Sequence, residues 1–289
     1  MDWHRDLGNA ALGKASVVVA IGNFDGVHRA HQRLLQSLRT HSRVCSTEAT
    51  VVTFEPHPQS YFEPDVVLAR LSSAREKLEL LQRYGVDRVI ALRFNDQLAA
   101  LSAEAFVKHY LVDGLAVSHV VIGYDFGFGA GRAGTAEQLE ALGKDHGFGV
   151  TRVPAVILDG EEIGSTRIRL ALRRGDLSLA ERLLGRPYTL SGRVAYGDQR
   201  GRSWGFPTAN LPLTRHNPPL RGVYAVEVEG AADRSLPGVA NLGLRPTVGA
   251  NRLLLEVHLI EFDGALYGKR LRVTFRKQIR TEKKFDSLV

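Results

Sequence analysis

Cysteine is almost missing from this chain: 289 residues include only Cys45. No disulfide can form within the chain, and such sparing use of cysteine fits a reducing compartment. No neighbouring residue marks Cys45 as an activated thiol, so it reads as a small strand-edge residue and not as a nucleophile. Long apolar runs are lacking too, and none approaches the roughly 18–20 residues a membrane-spanning helix needs. The opening Met1-Asp2-Trp3-His4-Arg5-Asp6 has no basic-then-apolar signal pattern. Repeats and low-complexity tracts are absent. The expectation is a cytoplasmic protein with no membrane partner and no disulfide scaffold.

What is present is ordinary for a globular enzyme, with 44% hydrophobic and 24% charged residues. The length suits two domains better than one. Charge divides them. Residues 186–289 carry 17 Lys and Arg against 9 Asp and Glu, whereas residues 1–185 carry 21 against 22. A basic C-terminal segment suits either a nucleic acid or an anionic small substrate, and charge alone does not choose.

Patterning separates the same two segments. In residues 1–185, Val17–Ile21, Ala49–Phe54, Arg88–Leu92, His119–Ile122 and Val150–Val153 are short apolar runs. Helical spacings alternate with them around Leu34, Leu78, Ser102–Val112, Gly134–His146 and Ser165–Arg174. That rhythm predicts a parallel sheet with crossover helices. Asp176–Leu184 predicts a linker helix stopped by Gly185 and Pro187. Beyond it, Tyr188–Tyr196, Val223–Glu229, Gly238–Leu242, Leu253–Glu261 and Leu271–Phe275 read as closely spaced strands, which suggests a small closed barrel. Lys284-Phe285-Asp286-Ser287-Leu288-Val289 resembles the start of a further helix, expected to lie beyond the sequence given.

Two segments carry phosphate chemistry. Val17–Ile21 runs into Gly22-Asn23-Phe24-Asp25-Gly26-Val27-His28-Arg29-Ala30-His31. A helix N-terminus after a buried strand attracts anions, and Gly22 and Gly26 permit close backbone approach. His28 and His31, three apart, can share one helix face and donate to the same phosphate, stabilising charge at an α-phosphorus during nucleotidyl transfer. The second segment, Gly197 to Asn210, is rich in glycine and arginine. Here Pro207 stiffens a turn that offers the Thr208 hydroxyl and Asn210 amide as hard oxygen donors suited to Mg²⁺. Two such motifs suggest two nucleotide-dependent steps.

The first motif resembles the G-x-F-D-G-x-H-x-G-H signature of the nucleotidyltransferase superfamily, in the wording of bacterial bifunctional riboflavin kinase/FMN adenylyltransferases, or FAD synthetases. Ala30 stands where that family usually has glycine. Thr53-Phe54-Glu55-Pro56-His57-Pro58, Gly123-Tyr124-Asp125-Phe126-Gly127-Phe128-Gly129 and Ile163-Gly164-Ser165-Thr166-Arg167-Ile168-Arg169 resemble further family segments. Gly205-Phe206-Pro207-Thr208-Ala209-Asn210 resembles the riboflavin kinase signature, Leu255-Glu256-Val257 its catalytic strand and Ile279-Arg280-Thr281-Glu282 its close.

The resemblance implies a Rossmann-like α/β nucleotidyltransferase domain of the HxGH type over 1–185, linker helix included. It implies an all-β six-stranded Greek-key barrel over 186–289, followed in the family by a terminal helix. It assigns catalysis to His28, His31, Arg169 and Glu256, with Glu256 as general base. Nucleotide or flavin contact falls to Gly22, Phe24, Asp25, Asp125, Ser165, Gly205, Pro207 and Arg280, and Mg²⁺ to Thr208 and Asn210. Riboflavin, FMN and ATP are the implied partners, with FMN and FAD as products and no nucleic acid. Two other readings stay open. The first domain could serve a non-flavin acceptor such as phosphopantetheine, or the barrel could be an OB-like nucleic-acid module with Tyr188, Tyr196, Trp204 and Phe206 as stacking platforms. Oligomeric state is unread.

Overall fold

The computed structural model describes residues 1–7, 16–195, 208–213, 217–247 and 250–281. The chain divides into two compact units, Met1–Leu68 with Lys77–Ile163, and Ala69–Glu76 with Gly164–Val289.

The first unit is built on β1 (Asp2–Arg5), β2 (Val17–Ile21), β3 (Ala49–Glu55), β4 (Arg88–Arg93), β5 (Val117–Gly123) and β6 (Gly149–Val153). They form one sheet in the order β1-β4-β3-β2-β5-β6, and every neighbouring pair is parallel. The central β2 is buried throughout, which explains its uninterrupted apolar sequence. Its alternate residues serve opposite faces. Val17, Val19 and Ile21 join Ile90, Phe106, Leu111 and Leu139 in one core. Val18 and Ala20 join Leu35, Leu38, Val51 and Leu81 in the other.

Helix α1 (Arg29–Val44) follows β2, with Leu34, Leu35 and Leu38 on its inward face. Cys45 is exposed at its C-cap and is not on a strand edge, because α1 runs six residues beyond the Leu34–Leu38 repeat. Short α2 (Pro58–Phe62), α3 (Ala74–Arg83), α4 (Asp96–Ala99) and α5 (Ala103–Phe106) follow, and α5 continues into a π-helical stretch, Val107–Gly114. After α6 (Ala136–His146), Gly147 stops the helix in the left-handed conformation. The edge strand β1 and the small hairpin of β7 (Ile157–Leu158) and β8 (Glu161–Glu162) are short and largely exposed. They carry no apolar alternation, which is why the sequence pattern passes over them.

In the second unit, α7 (Ser165–Arg173) and α8 (Leu177–Leu184) precede the barrel, and α8 is capped by Asp176 and ended by Gly185. The barrel strands are β9 (Thr189–Arg193), β10 (Thr208–Pro212), β11 (Gly222–Glu229), β12 (Leu236–Thr247), β13 (Ala250–Leu259) and β14 (Arg270–Arg280). Their order is β10-β13-β12-β11-β14-β9. The β11-β12-β13 meander is thus flanked by β10 and β14, which return across it as a Greek key. The Ala195 N–H donates to the Asn210 carbonyl at 2.9 Å, joining the two ends of the sheet. Leu211, Tyr224, Val226, Leu242, Leu255 and Val273 fill the interior.

Thr208 and Asn210 lie on strand β10 and not in a turn. The reason is alternation: Ala209 and Leu211 are buried, while Thr208, Asn210 and Pro212 face outward.

Candidate active sites

At the end of β2 the chain turns through Phe24, Gly26 and Val27, with φ of 51°, 78° and 42°. Left-handed backbone at two non-glycine residues is costly and occurs where surrounding packing holds it. Both side chains are fully buried. His28 then caps α1, its Nδ1 accepting from the His31 N–H at 3.4 Å. That leaves the proton of neutral His28 on Nε2. The two imidazoles stack at 3.6 Å between centroids, and Phe24 lies 5.1 Å from the His31 ring. His31 is held well below the usual histidine pKa by burial first, then by His28 and Lys77. Its Nδ1 and the Asn23 Oδ1 are buried without a hydrogen-bond partner among the described residues. Unsatisfied polar atoms beside a glycine turn and a helix start suit an incoming polar ligand. Asp25 is also buried here.

Lys77 and Asn23 were not singled out from sequence. Lys77 is buried, and its Nζ donates to Thr53 Oγ1 at 3.3 Å, which donates in turn to the Asn23 carbonyl at 3.3 Å. A signal existed: Lys77 stands four residues before the core residue Leu81, hence on the inward face of α3. His57 caps α2, its Nδ1 accepting from the Gln59 N–H at 3.2 Å.

The loop bearing Asp125 is tied from several sides. Arg132 donates to the Asp125 carbonyl at 3.2 Å, and Arg152 donates twice to the Tyr124 carbonyl, at 3.1 and 2.7 Å. The Tyr124 hydroxyl donates to Glu162, which pushes the phenol up to about 12. Ser165 opens α7, and Arg169 is buried on it with Nε donating to the Ala69 carbonyl at 2.6 Å. Both belong to the second unit, whereas the histidine pair belongs to the first.

The barrel assembles its residues by register. Asn210 pairs with Glu256, Glu256 with Asn241, Asn241 with Val223 and Val223 with Arg280. These residues form one row across the outer face, each strand about 4.8 Å from the next. The Asn241 amide donates to Glu256 Oε2 at 3.3 Å. Asn210 Oδ1 is buried and has no hydrogen-bond partner among the described residues. Thr208 pairs with His258, two residues along from Glu256. An orphan amide oxygen, a hydroxyl and a carboxylate on one face form an all-oxygen donor set that fits a hard cation such as Mg²⁺. Asn241 was missed because only strand pairing brings it to Glu256. Gly205 and Pro207 lie outside the described residues, as do Tyr196, Trp204, Phe206 and the segment read as a terminal helix start. Tyr188, the remaining aromatic of the nucleic-acid reading, is buried with its ring 6.0 Å from that of Phe275. It offers no stacking face.

Comparison with known proteins agrees with both halves. The FAD synthetase family matches residues 12–167 and the riboflavin kinase family matches residues 184–289. A bifunctional riboflavin kinase/FMN adenylyltransferase of Escherichia coli strain K12 is 48% identical over 94% of this chain and 87% of its own length. Its counterpart from Pseudomonas fluorescens is 46% identical over 100% of this chain and 92% of its own. A crystal structure described as a macrolide-efflux protein from Streptococcus pneumoniae superposes with a TM-score of 0.85 at 32% identity, over 100% of this chain and 94% of that one. Among the described residues no helix is long and apolar enough to cross a membrane. The chain belongs to the bifunctional riboflavin kinase/FMN adenylyltransferase family.

Proposed function

We propose that this protein makes FAD from riboflavin in two ATP-dependent steps, the first on the barrel and the second on the parallel-sheet unit. The observation that carries this reading is the presence of both family matches in one chain, in family order, each covering a cluster of polar residues suited to its reaction. The functional boundary is set at 185/186, after the linker helix, and the enzyme is assigned to the cytoplasm with riboflavin, FMN and ATP as partners.

In the kinase step the ribityl 5′-hydroxyl attacks the γ-phosphorus of ATP. The new P–O bond forms as the bond to ADP breaks, and Glu256 takes the hydroxyl proton. Asn241, donating to Glu256, orients the carboxylate. Mg²⁺ held by Thr208, Asn210 and nucleotide phosphates would neutralise polyphosphate charge. Nucleotide contact is assigned to Gly205 and Pro207, and flavin contact to Arg280.

In the adenylyl step no protein nucleophile is required. A phosphate oxygen of FMN attacks the α-phosphorus of ATP and pyrophosphate leaves. His28 and His31 donate to the phosphate oxygens as charge accumulates. Gly22 and Phe24 shape the turn against the nucleotide, and Asp25 and Asp125 contact its adenosine end. Lys77 supplies a buried cation beside the histidine pair.

Purified protein given ATP and Mg²⁺ should convert riboflavin to FMN with release of ADP, and FMN to FAD with release of pyrophosphate. Failure of either product to form would remove that half of the assignment. Steeply salt-dependent micromolar binding of DNA would instead favour the nucleic-acid reading.

A further inference from the structure

A second histidine cluster lies in the first unit, away from the residues assigned to adenylyl transfer. His41 stands near the C-terminal end of α1, ten residues beyond His31 and hence about 15 Å along the axis. His119 lies near the start of β5, level with Val18 of β2 and Gly149 of β6. Thr151 is two residues along from Gly149 and so shares its face of the sheet. Because α1 runs back antiparallel to β2, its end meets the N-terminal ends of these strands. The His28 and His31 pair sits at their C-terminal ends.

The two rings stack at 4.0 Å with 14° between their planes. His119 Nε2 lies 2.8 Å from Thr151 Oγ1, and His41 Nε2 lies 3.0 Å from the same oxygen. A hydroxyl has one proton, so it satisfies one of these nitrogens as donor and must accept from the other. Two imidazole nitrogens therefore converge on one point. Gly149 makes the room: a Cβ there would lie 2.4 Å from His119 Nδ1 and 2.8 Å from its Cε1. The backbone of Gly149 is an ordinary strand, so the glycine serves the ring and not a turn. All three residues are half-buried, which leaves solvent access to the point of convergence.

We propose that His41, His119 and Thr151 form a binding site for a borderline divalent transition-metal ion, such as Zn²⁺ or Ni²⁺. Both imidazoles would turn their Nε2 lone pairs onto the ion, closing to about 2.0–2.1 Å. The Thr151 hydroxyl and water complete the coordination. No group of three or more His, Cys, Asp or Glu side chains gathers among the described residues, so this is an exchangeable two-nitrogen site and not a closed structural one. Imidazole donors select Zn²⁺, Ni²⁺ or Cu²⁺ over Mg²⁺, so the site is chemically distinct from the oxygen set on the barrel.

The test is calorimetric titration of tag-free, chelator-treated protein with Zn²⁺ and with Ni²⁺, paired with thermal melts. The expected result is one ion per chain and a melting temperature that rises with metal concentration. Affinity should fall at least about tenfold in His41→Gln and in His119→Gln, and stay unchanged in His31→Gln. Absence of binding up to millimolar metal would overturn the proposal. So would binding that survives both His41→Gln and His119→Gln, or that is lost in His31→Gln. Should His119→Gln fail to fold, Ni²⁺ broadening of histidine ring resonances in the wild-type protein decides. Broadening of His41 and His119 supports the site, and broadening confined to other histidines overturns it.

Discussion

Replacing Glu256 by glutamine tests the kinase assignment most directly, because it removes a base while keeping size and shape. The amide oxygen can still accept from Asn241, which lies 3.3 Å from Glu256 Oε2, so no donor is stranded. A positioned general base contributes about 10²–10⁴ in rate. Glu256 sits on the outer face of the barrel with partial solvent access, so water can replace part of its role. The lower half of that range is therefore expected: kcat for FMN formation falls about 10²–10³-fold, or about 2.7–4.1 kcal/mol of barrier. KM for riboflavin and ATP should change little, since the proton moves only in the transition state. Asn241→Leu removes an orienting hydrogen bond and not the base, and about 0.5–1.5 kcal/mol is expected from it. The assay measures initial rates of FMN and ADP production at saturating substrates. FAD formation from supplied FMN, at the other unit, serves as the internal control. If kcat for FMN formation in Glu256→Gln stays within about threefold of wild type, Glu256 is not the base.

Three further outcomes follow from other parts of the molecule. His31, held below its ordinary pKa, gains a proton on unfolding; this has no effect well above pH 6.5, the unfolded value, and destabilises the fold as pH drops below it. The unfolding free energy from urea titrations should fall on acidification from about pH 6.5 to 5, by at most about 1.4 kcal/mol per pH unit from this group, and identical slopes in wild type and His31→Gln would refute this role of His31. Buried Glu76 accepts from Ser73 N and Oγ, both at 2.8 Å, and from Ser191 N and Oγ at 2.6 and 3.0 Å. Glu76→Ala strands two backbone donors and should cost about 2–5 kcal/mol in equilibrium unfolding; a loss below about 1 kcal/mol would mean that water replaces the carboxylate. Removal of divalent cations with EDTA should stop FMN formation. In Asn210→Leu the Mg²⁺ concentration for half-maximal kinase rate should rise at least about tenfold while FAD formation is unchanged, and an unaltered Mg²⁺ titration would dismiss Asn210 as a ligand.

Much of this protein could be read residue by residue. The uninterrupted apolar run of β2, the glycines and histidines after it, and the leucine spacing of α1 are local patterns, and local patterns follow from backbone geometry and burial alone. The two-part architecture was equally legible, because crossover helices and closely spaced strands leave different periodicities. The exposed edge strand β1 and the β7–β8 hairpin were not, since neither buries an apolar stripe. Pro207 predicts a turn at Thr208 and Asn210, and the buried alternation of Ala209 and Leu211 places them on a strand instead.

Sequence alone determined which chemical groups this chain possesses and the order of its motifs, because covalent connectivity and short-range periodicity are written in one dimension. Only tertiary structure decided which groups meet. Asn241 reaches Glu256 through the register of β12 on β13, and buried Lys77 comes beside His31 through the packing of α3. His41 and His119, 78 residues apart, converge on Thr151 because α1 folds back over β5 and β6. Each meeting depends on strand pairing or helix packing across long separations, which are set by the burial of the whole core and leave no mark at the residues they join.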